Sequence, residues 1–246
     1  MNLCISEIFY TITDLLLPDT CALCGTSLCL QGACDNSIPL CDNCFIQAEN
    51  ELCLNSSLIY SRCRLCGYPL SSEEGVCLSC REKTWNFTSA SSLFLYTETG
   101  RNLICAYKFE NRRGLGHYFA GLIKQYQRKN HPEAVIVPVP FRSASKRKRG
   151  WDQIEEITSV LKKDDEITIC PCLKRDDGPA QKTMNYEKRL LNLNNKIHYI
   201  NKYSPPEKVV LIDDVFTTGA TMDYCARVLK NAGTKNIFCL SIALDL

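Results

Sequence analysis

From about residue 85 onward, short apolar runs alternate with longer stretches whose apolar positions recur every three or four residues. The runs "SASSLFLY" (89–96), "AVIVPVP" (134–140), "EITICPCLKR" (166–175), "KVVLIDDV" (208–215) and "IFCLSIAL" (237–244) predict strands. Between them, "GRNLICAYKF" (100–109), "HYFAGLIKQYQRK" (117–129), "WDQIEEITSVLKK" (151–163) and "GATMDYCARVLKNAG" (219–233) predict helices, the last closing on a C-cap glycine. This alternation implies an α/β fold, a mainly parallel sheet flanked by helices on both faces. Ligands of such sheets bind at the carboxyl ends of the strands, so the loops after Val139, Arg175 and Asp214 are expected to converge. At the amino end, Ile5, Ile8, Phe9, Ile12, Leu15 and Leu16 fall on one helical face. The segment lacks a basic leader and a cleavage motif, so it reads as a docking helix of the mature protein. It is too short and too acidic to span a membrane.

Cysteine changes the picture for the first third. Of 17 cysteines, 12 lie in the first 80 residues, and eight form C-x-x-C pairs: Cys21/Cys24, Cys41/Cys44, Cys63/Cys66 and Cys77/Cys80. An odd count, no secretory leader and the two-residue spacing favour a reducing compartment, the cytoplasm, and metal ligation over disulfides. Two pairs run into glycine, "CALCG" and "CRLCG", which permits the tight turn that points both sulfurs at one ion. Pairing neighbours in order gives two structural Zn2+ sites: Cys21, Cys24, Cys41, Cys44, and Cys63, Cys66, Cys77, Cys80. Spacing alone also allows a crossed pairing. Four thiolates close each ion, so no chemistry is expected there. Between the pairs, Cys29, Cys34 and Cys53 are left over, as buried small residues or substitute ligands. The expected division is 1–85 for the N-terminal helix and double zinc ribbon, and 86–246 for the α/β domain.

Charge sharpens this division. The net +2 hides a segment, 101–150, with 12 Lys or Arg and 2 Asp or Glu, which is +10; the remainder is −8. The first 61 residues hold no Lys or Arg and seven acids. A polyanion is therefore repelled by the ribbon and drawn to the middle of the chain. The densest basic stretch is "FRSASKRKRG" (141–150), with Arg142, Lys146, Arg147, Lys148 and Arg149. It reads either as a solvated helix lending one or two cations to a bound pyrophosphate, or as part of a groove for single-stranded nucleic acid. In the second case Lys108, Arg112, Arg113, Lys124, Arg128 and Lys129 extend the groove, and Tyr107, Phe109, Tyr118, Phe141 and Trp151 offer stacking faces. His117 and His131 carry no metal pattern.

The candidate chemistry sits in "VVLIDDVFTTGAT" (209–221). A strand ends on two adjacent carboxylates, Asp213 and Asp214, then passes through Thr217, Thr218, Gly219, Ala220 and Thr221 into a helix. The free N–H groups of that helix and the threonine hydroxyls make a phosphate cradle. The carboxylates cannot face the phosphate, and the hydroxyls of a ribose suit them, with a divalent cation easing their repulsion. The stretch thus reads as a ribose 5-phosphate site.

This stretch resembles the phosphoribosyl pyrophosphate (PRPP) signature of type I phosphoribosyltransferases. The resemblance implies that Asp213 and Asp214 bind the ribose O2 and O3 at the catalytic centre, with Mg2+ accompanying PRPP. It implies that Thr217, Thr218, Gly219, Ala220 and Thr221 hold the 5′-phosphate. "VPVPFRS" (137–143) resembles the pyrophosphate loop, with Phe141 and Arg142. "CLKRDDGPAQKTMNYEKRLLN" (172–192) resembles the catalytic lid of amidophosphoribosyltransferases, where basic residues close over pyrophosphate; the resemblance implies Lys174, Arg175, Gln181, Lys182, Arg189 and Asn192 as candidates, with Arg175 and Lys182 as the catalytic ones. A lid is reasonable because an oxocarbenium-like ribosyl centre must be kept from water.

The whole chain is more similar still to the ComF family, which joins a double zinc ribbon to a type I phosphoribosyltransferase domain. The shared features are the four C-x-x-C pairs, the Y-x-x-x-G-R-x-L-I-x-x-x-K-F stretch (96–109), "VPVP", "RGWDQ", Gln181, "RLLN" and the PRPP signature. Two positions depart from the family pattern: Asp152 replaces an amide and Gly178 a threonine. The resemblance implies a PRPP-binding protein of DNA uptake that handles single-stranded DNA with a helicase partner. The alternative is an active phosphoribosyltransferase moving ribose 5-phosphate to an amine or nucleobase.

Overall fold

The structure is a computed structural model, and it describes residues 20–28, 38–53, 61–71, 75–176 and 196–245. The N-terminal amphipathic helix, Cys29, Cys34, Gly178, Gln181, Lys182, Arg189 and Asn192 lie outside the described residues. Among the described residues the cysteine-rich part holds two helices, α1 (Asp42–Asn50) and the single turn α2 (Leu78–Arg81). There follow β1 (Ser89–Leu95), α3 (Glu98–Phe109), α4 (Leu115–Asn130), β2 (Val135–Pro138), α5 (Ser143–Arg149) and α6 (Gln153–Leu161). The chain ends with β3 (Leu173–Arg175), β4 (Ile197–Tyr199), β5 (Lys208–Phe216), α7 (Ala220–Ala232) and β6 (Asn236–Leu244). Among the described residues no helix is long and apolar enough to cross a membrane.

The main sheet is parallel throughout, in the order β1-β6-β5-β2. Its centre, β5, is buried on both faces, which is why "VVLI" is a continuous apolar run. Val210 and Ile212 face one layer, with residues of α3, α4 and α6. Val209 and Leu211 face the other, with α7 and the small β3–β4 hairpin. The predicted strand over 166–175 is divided. Ile169 makes a single parallel bridge to Ile136, and the antiparallel β3 starts only at Leu173. Pro171 explains the break, because it has no N–H for a ladder and fixes its own φ.

The two cysteine clusters straddle the sheet's outer edge, one against each face. Cys21, Cys41 and Cys44 pack in the layer with Leu93, whereas Cys63, Cys66, Cys77 and Cys80 pack in the layer with Ala90 and Phe87. The chain beside each cluster also bonds to the edge strand β1: Cys53 N–H donates to Leu93 O at 2.7 Å, and Ala90 N–H donates to Leu65 O at 2.7 Å. An otherwise open edge is thereby covered. Gly67, from "CRLCG", has φ +75° and lies so close to β1 that a Cβ would stand 3.1 Å from Ala90 O. The glycine therefore serves both the sulfur turn and the contact with the sheet.

One tie, between the start of the sheet domain and α7, was not visible in the sequence. Asp223, in the first turn of α7, is buried and accepts from Asn86 N–H at 2.6 Å and from Asn86 Nδ2 at 3.1 Å. Its removal strands the Asn86 donors in a half-buried place. Asp223→Ala is expected to cost ~2–4 kcal/mol in urea unfolding, in line with charged hydrogen bonds that leave unsatisfied partners. A change within a few tenths of a kcal/mol would show that Asn86 finds water instead.

Candidate functional site

Each cysteine cluster brings four sulfurs within 4.8 Å of one another, and the groups follow the neighbour pairing: Cys21, Cys24, Cys41, Cys44 and Cys63, Cys66, Cys77, Cys80. Tetrahedral zinc with sulfur at about 2.3 Å requires sulfur–sulfur separations of about 3.8 Å. Cys24 and Cys41 sulfurs are 3.7 Å apart, and so are those of Cys66 and Cys77. The residues present fit a double zinc ribbon, and each group could hold a structural metal ion. Burial drives the Cys44 and Cys66 thiols well above the ordinary thiol range, so thiolates there need a cation to stabilise them. Trp85 Nε1 donates to Cys80 Sγ at 3.2 Å, which orients the second cluster from outside. Cys53 lies half-buried outside both groups. Cys172, Cys225 and Cys239 are fully buried, as expected of core residues, whereas Cys105 and Cys170 are half-buried.

The second site lies at the carboxyl end of β5. Asp213 and Asp214 are half-buried, and Asp214 N–H donates to Asp213 Oδ1 at 2.8 Å. Lys108, from the last turn of α3, reaches Asp214 Oδ2 at 2.5 Å. Arg175, at the end of β3, is lowered to about 10, first by burial and then by the neighbouring Arg142 guanidinium, while Asp213 works in the opposite sense. Arg142, Arg175 and Asp213, at or beside three of the strand ends expected to converge, therefore share one electrostatic neighbourhood, while the loop after Asp176 lies outside the described residues. Asp152 caps α6, accepting from the backbone N–H of Ile154 and Glu155 at 3.0 Å each. An Asn would cap as well, but the carboxylate adds a charge that acts on Asp214.

Beyond β5, Phe216 anchors the turn, Gly219 takes φ +74°, and α7 begins at Ala220. Ala220 N–H approaches Thr218 Oγ1 at only 3.5 Å, and Asp223 N–H donates to Gly219 O at 2.8 Å. Thr217 is exposed, and Thr218 and Thr221 are half-buried. This is a helix N-terminus edged with hydroxyls, the arrangement that binds phosphate.

Asp213 is raised to about 7, mainly by burial and next by the adjacent Asp214 charge, against an unfolded value near 3.8. The folded protein therefore holds a proton that the unfolded chain has released, and rising pH through that window works against the fold. Asp213→Asn removes this penalty. Its melting temperature is expected to match the native protein's at about pH 4 and to exceed it increasingly up to about pH 8. A difference independent of pH would contradict the assignment.

The basic segment proves to be largely engaged within the fold. Lys108 pairs with Asp214, Arg113 with Glu156 at 2.6 Å, Lys146 with Glu155 at 2.5 Å, Lys124 with Asp164, and Arg128 with Glu166. Arg112 donates to Thr20 Oγ1 at 2.9 Å. Of the aromatic candidates, Tyr107, Tyr118 and Trp151 are core residues and cannot stack on a base; Phe109 and Phe141 are exposed. Arg142 and Arg147 lie exposed and Arg149 half-exposed around α5; Lys148 belongs to the same helix. Lys146 sits over the Phe141 ring at 4.7 Å. His117 is exposed, and His131 caps α4 while stacking on Phe238 at 3.8 Å.

No family model matches the chain. Among curated proteins it is 25% identical over 206 residues to "Competence protein ComFC" of Streptococcus pneumoniae, spanning 82% of this chain and 84% of that protein. It is 26% identical over 186 residues to "Competence protein ComFC" of Bacillus subtilis, spanning 70% and 72% respectively. It is 26% identical over 205 residues to "Competence protein F" of Haemophilus influenzae, spanning 77% and 89%. The chain is similar to these ComF-type competence proteins over most of its length. Three relatives matched over most of their length, together with the two four-cysteine groups, make this more than a shared motif. Three of the stretches that carried the ComF resemblance in the sequence occupy elements around Asp214: 96–109 supplies Lys108, "VPVP" ends β2, and "RGWDQ" caps α6.

Proposed function

We propose that the chain binds PRPP with Mg2+ at the end of β5 and acts in DNA uptake, as the names of its relatives suggest. The observation that carries the first half is the Asp213–Asp214 pair beside a left-handed glycine and a helix N-terminus, with Lys108, Arg142 and Arg175 around it. The carboxylates take the ribose diol, and the loop from Thr217 to Thr221 takes the 5′-phosphate. Phe141 and Arg142 border the pyrophosphate, with Arg175 and Lys182 closing over it. Residues 1–85 form a zinc-stabilised scaffold and 86–246 the phosphoribosyl domain. Single-stranded DNA tracks along Lys146, Arg147, Lys148 and Arg149, and a helicase is the working partner in the cytoplasm.

Calorimetry with PRPP and Mg2+ tests the ligand. Binding is expected in the native protein and to weaken at least about tenfold for Asp213→Ala, the worth of one charged hydrogen bond. No heat with native protein overturns the reading. For DNA, a steep loss of affinity with salt is expected, lessened in Arg147→Ala/Arg149→Ala. A second reading, transfer of ribose 5-phosphate to an acceptor, is favoured by a cleft beside Thr217 and Thr218, which a protein that merely stores PRPP does not need.

A further inference from the structure

The helix that carries Lys108 is held at both ends by the chain around the first cysteine cluster. At the start of α3, Thr99 is buried; it accepts from Gln47 Nε2 at 3.0 Å and donates to Glu51 Oε1 at 2.6 Å. Gln47 belongs to α1, which also carries Cys44 of that cluster, and Glu51 caps it. After its last residue, Phe109, the chain turns back at Asn111, which takes φ +58°. Asparagine tolerates this left-handed region better than most residues, but such a turn keeps its place only when neighbours hold it. Two bonds do so: Arg112 N–H donates to Ala106 O at 3.1 Å, and Arg112 Nη2 donates to Thr20 Oγ1 at 2.9 Å. Thr20 is fixed in its turn. It pairs with Ser27 across the loop of the first C-x-x-C motif, and the next residue is the buried ligand candidate Cys21.

What this frame holds matters because of charge. Among the described residues Lys108 makes the only ion pair with either acid, Nζ to Asp214 Oδ2 at 2.5 Å. The two side chains are 14% and 25% exposed, so the pair is little screened by solvent. Without the ammonium, two adjacent carboxylates face an anionic ligand uncompensated. A lysine stem is flexible, and fixing the last turn of α3 removes part of the freedom that would carry Nζ away from Asp214.

We propose that Thr20 and Arg112 are positioning residues, through which the first cysteine cluster holds Lys108 on Asp214 and tunes the affinity of the acid pair for its ligand. The first cluster thus serves the site as well as the fold. The position of Lys108 is independent of what the site binds; the consequence for PRPP rests on the reading above.

Thr20→Val removes one hydroxyl at nearly constant volume and changes no charge. Arg112→Ala removes the other partner. Both are compared with the native protein at equal metal content. The first measurement is the rate at which an acetylating reagent labels each lysine, read by peptide mass spectrometry. Lys108 is expected to react about fivefold faster or more in both variants, the lower end of an ordinary coupling between sites. Lys235, an exposed lysine paired with Glu207, should keep its native rate. The second measurement is PRPP calorimetry, where Thr20→Val is expected to weaken binding about fivefold. In a Lys108→Gln background the same substitution should add nothing, because the residue through which it acts is gone. Thr20→Ser keeps a hydroxyl and should restore both native values. Unchanged labelling of Lys108 in both variants overturns the proposal, as does faster labelling of Lys108 and Lys235 alike. An equal loss of PRPP affinity with and without Lys108 overturns it too. If the native protein gives no PRPP heat, the PRPP reading falls, and labelling alone decides what positions Lys108.

Discussion

Cys77→Ser will release one metal equivalent and unfold far more than the ribbon. Cys77 stands with Cys63, Cys66 and Cys80 in the same packed layer as Phe87, Val137, Val209, Leu211 and Met222, so the cluster is part of the core that covers one face of the sheet. A serine oxygen is a poor substitute for thiolate, and three buried sulfurs are left without a full cation site. Structural zinc in isolated fingers contributes about 10–16 kcal/mol of apparent folding energy at neutral pH. Loss of even a third of that is expected to lower the melting temperature by roughly 7–20 °C in a chain of this size. The metal-to-protein ratio should fall from about two to about one. Cys105→Ala, at a half-buried position outside both groups, serves as the control and should keep both ions. An unchanged ratio in Cys77→Ser would remove the cluster from the metal sites.

Much of this was legible before any coordinates. The strand β5 and its acids could be read because a doubly buried strand must be a continuous apolar run, and two charges at its end break that run sharply. The four C-x-x-C pairs were readable because each is a local turn motif, whereas spacing left a crossed pairing open and the sulfur positions decide for neighbours. What could not be read depends on distant partners. Asp223 looks like an acid serving a helix N-terminus, and nothing local reveals Asn86 as its partner. Lys108 counted toward a basic surface, but it neutralises Asp214. The stacking role expected of Tyr107 could have been refused earlier. With Leu103 and Ile104 it continues the apolar stripe of α3, and that spacing points inward. The Lys146–Glu155 and Arg113–Glu156 pairs reach across to α6, so a count of cations along the sequence overstated the free positive field.

Gly219→Ala is the substitution expected to damage the candidate site most directly. With φ +74°, an L side chain there is strained by ~1–2 kcal/mol before any contact is considered. The added Cβ would also meet Phe216 Cζ at 2.6 Å and two Trp85 ring carbons at 2.9 and 3.0 Å. Neither ring can retreat cheaply. Phe216 and Trp85 are packed with Phe87, and Trp85 is tethered to Cys80. Relief must come from the turn itself, by moving Thr217 and Thr218 or the start of α7. Overpacking of this kind adds ~1–3 kcal/mol, so a total of ~2–5 kcal/mol is expected in urea unfolding. The same displacement breaks the alignment of helix N–H groups and hydroxyls, so PRPP binding should be lost even in the fraction that stays folded. Gly121→Ala isolates the cause: that glycine lies in the middle of α4 with nothing within 4 Å of a Cβ, so the change should be neutral or stabilise by up to ~1 kcal/mol. If Gly219→Ala unfolds like the native protein and keeps its PRPP heat, the phosphate does not sit on this turn.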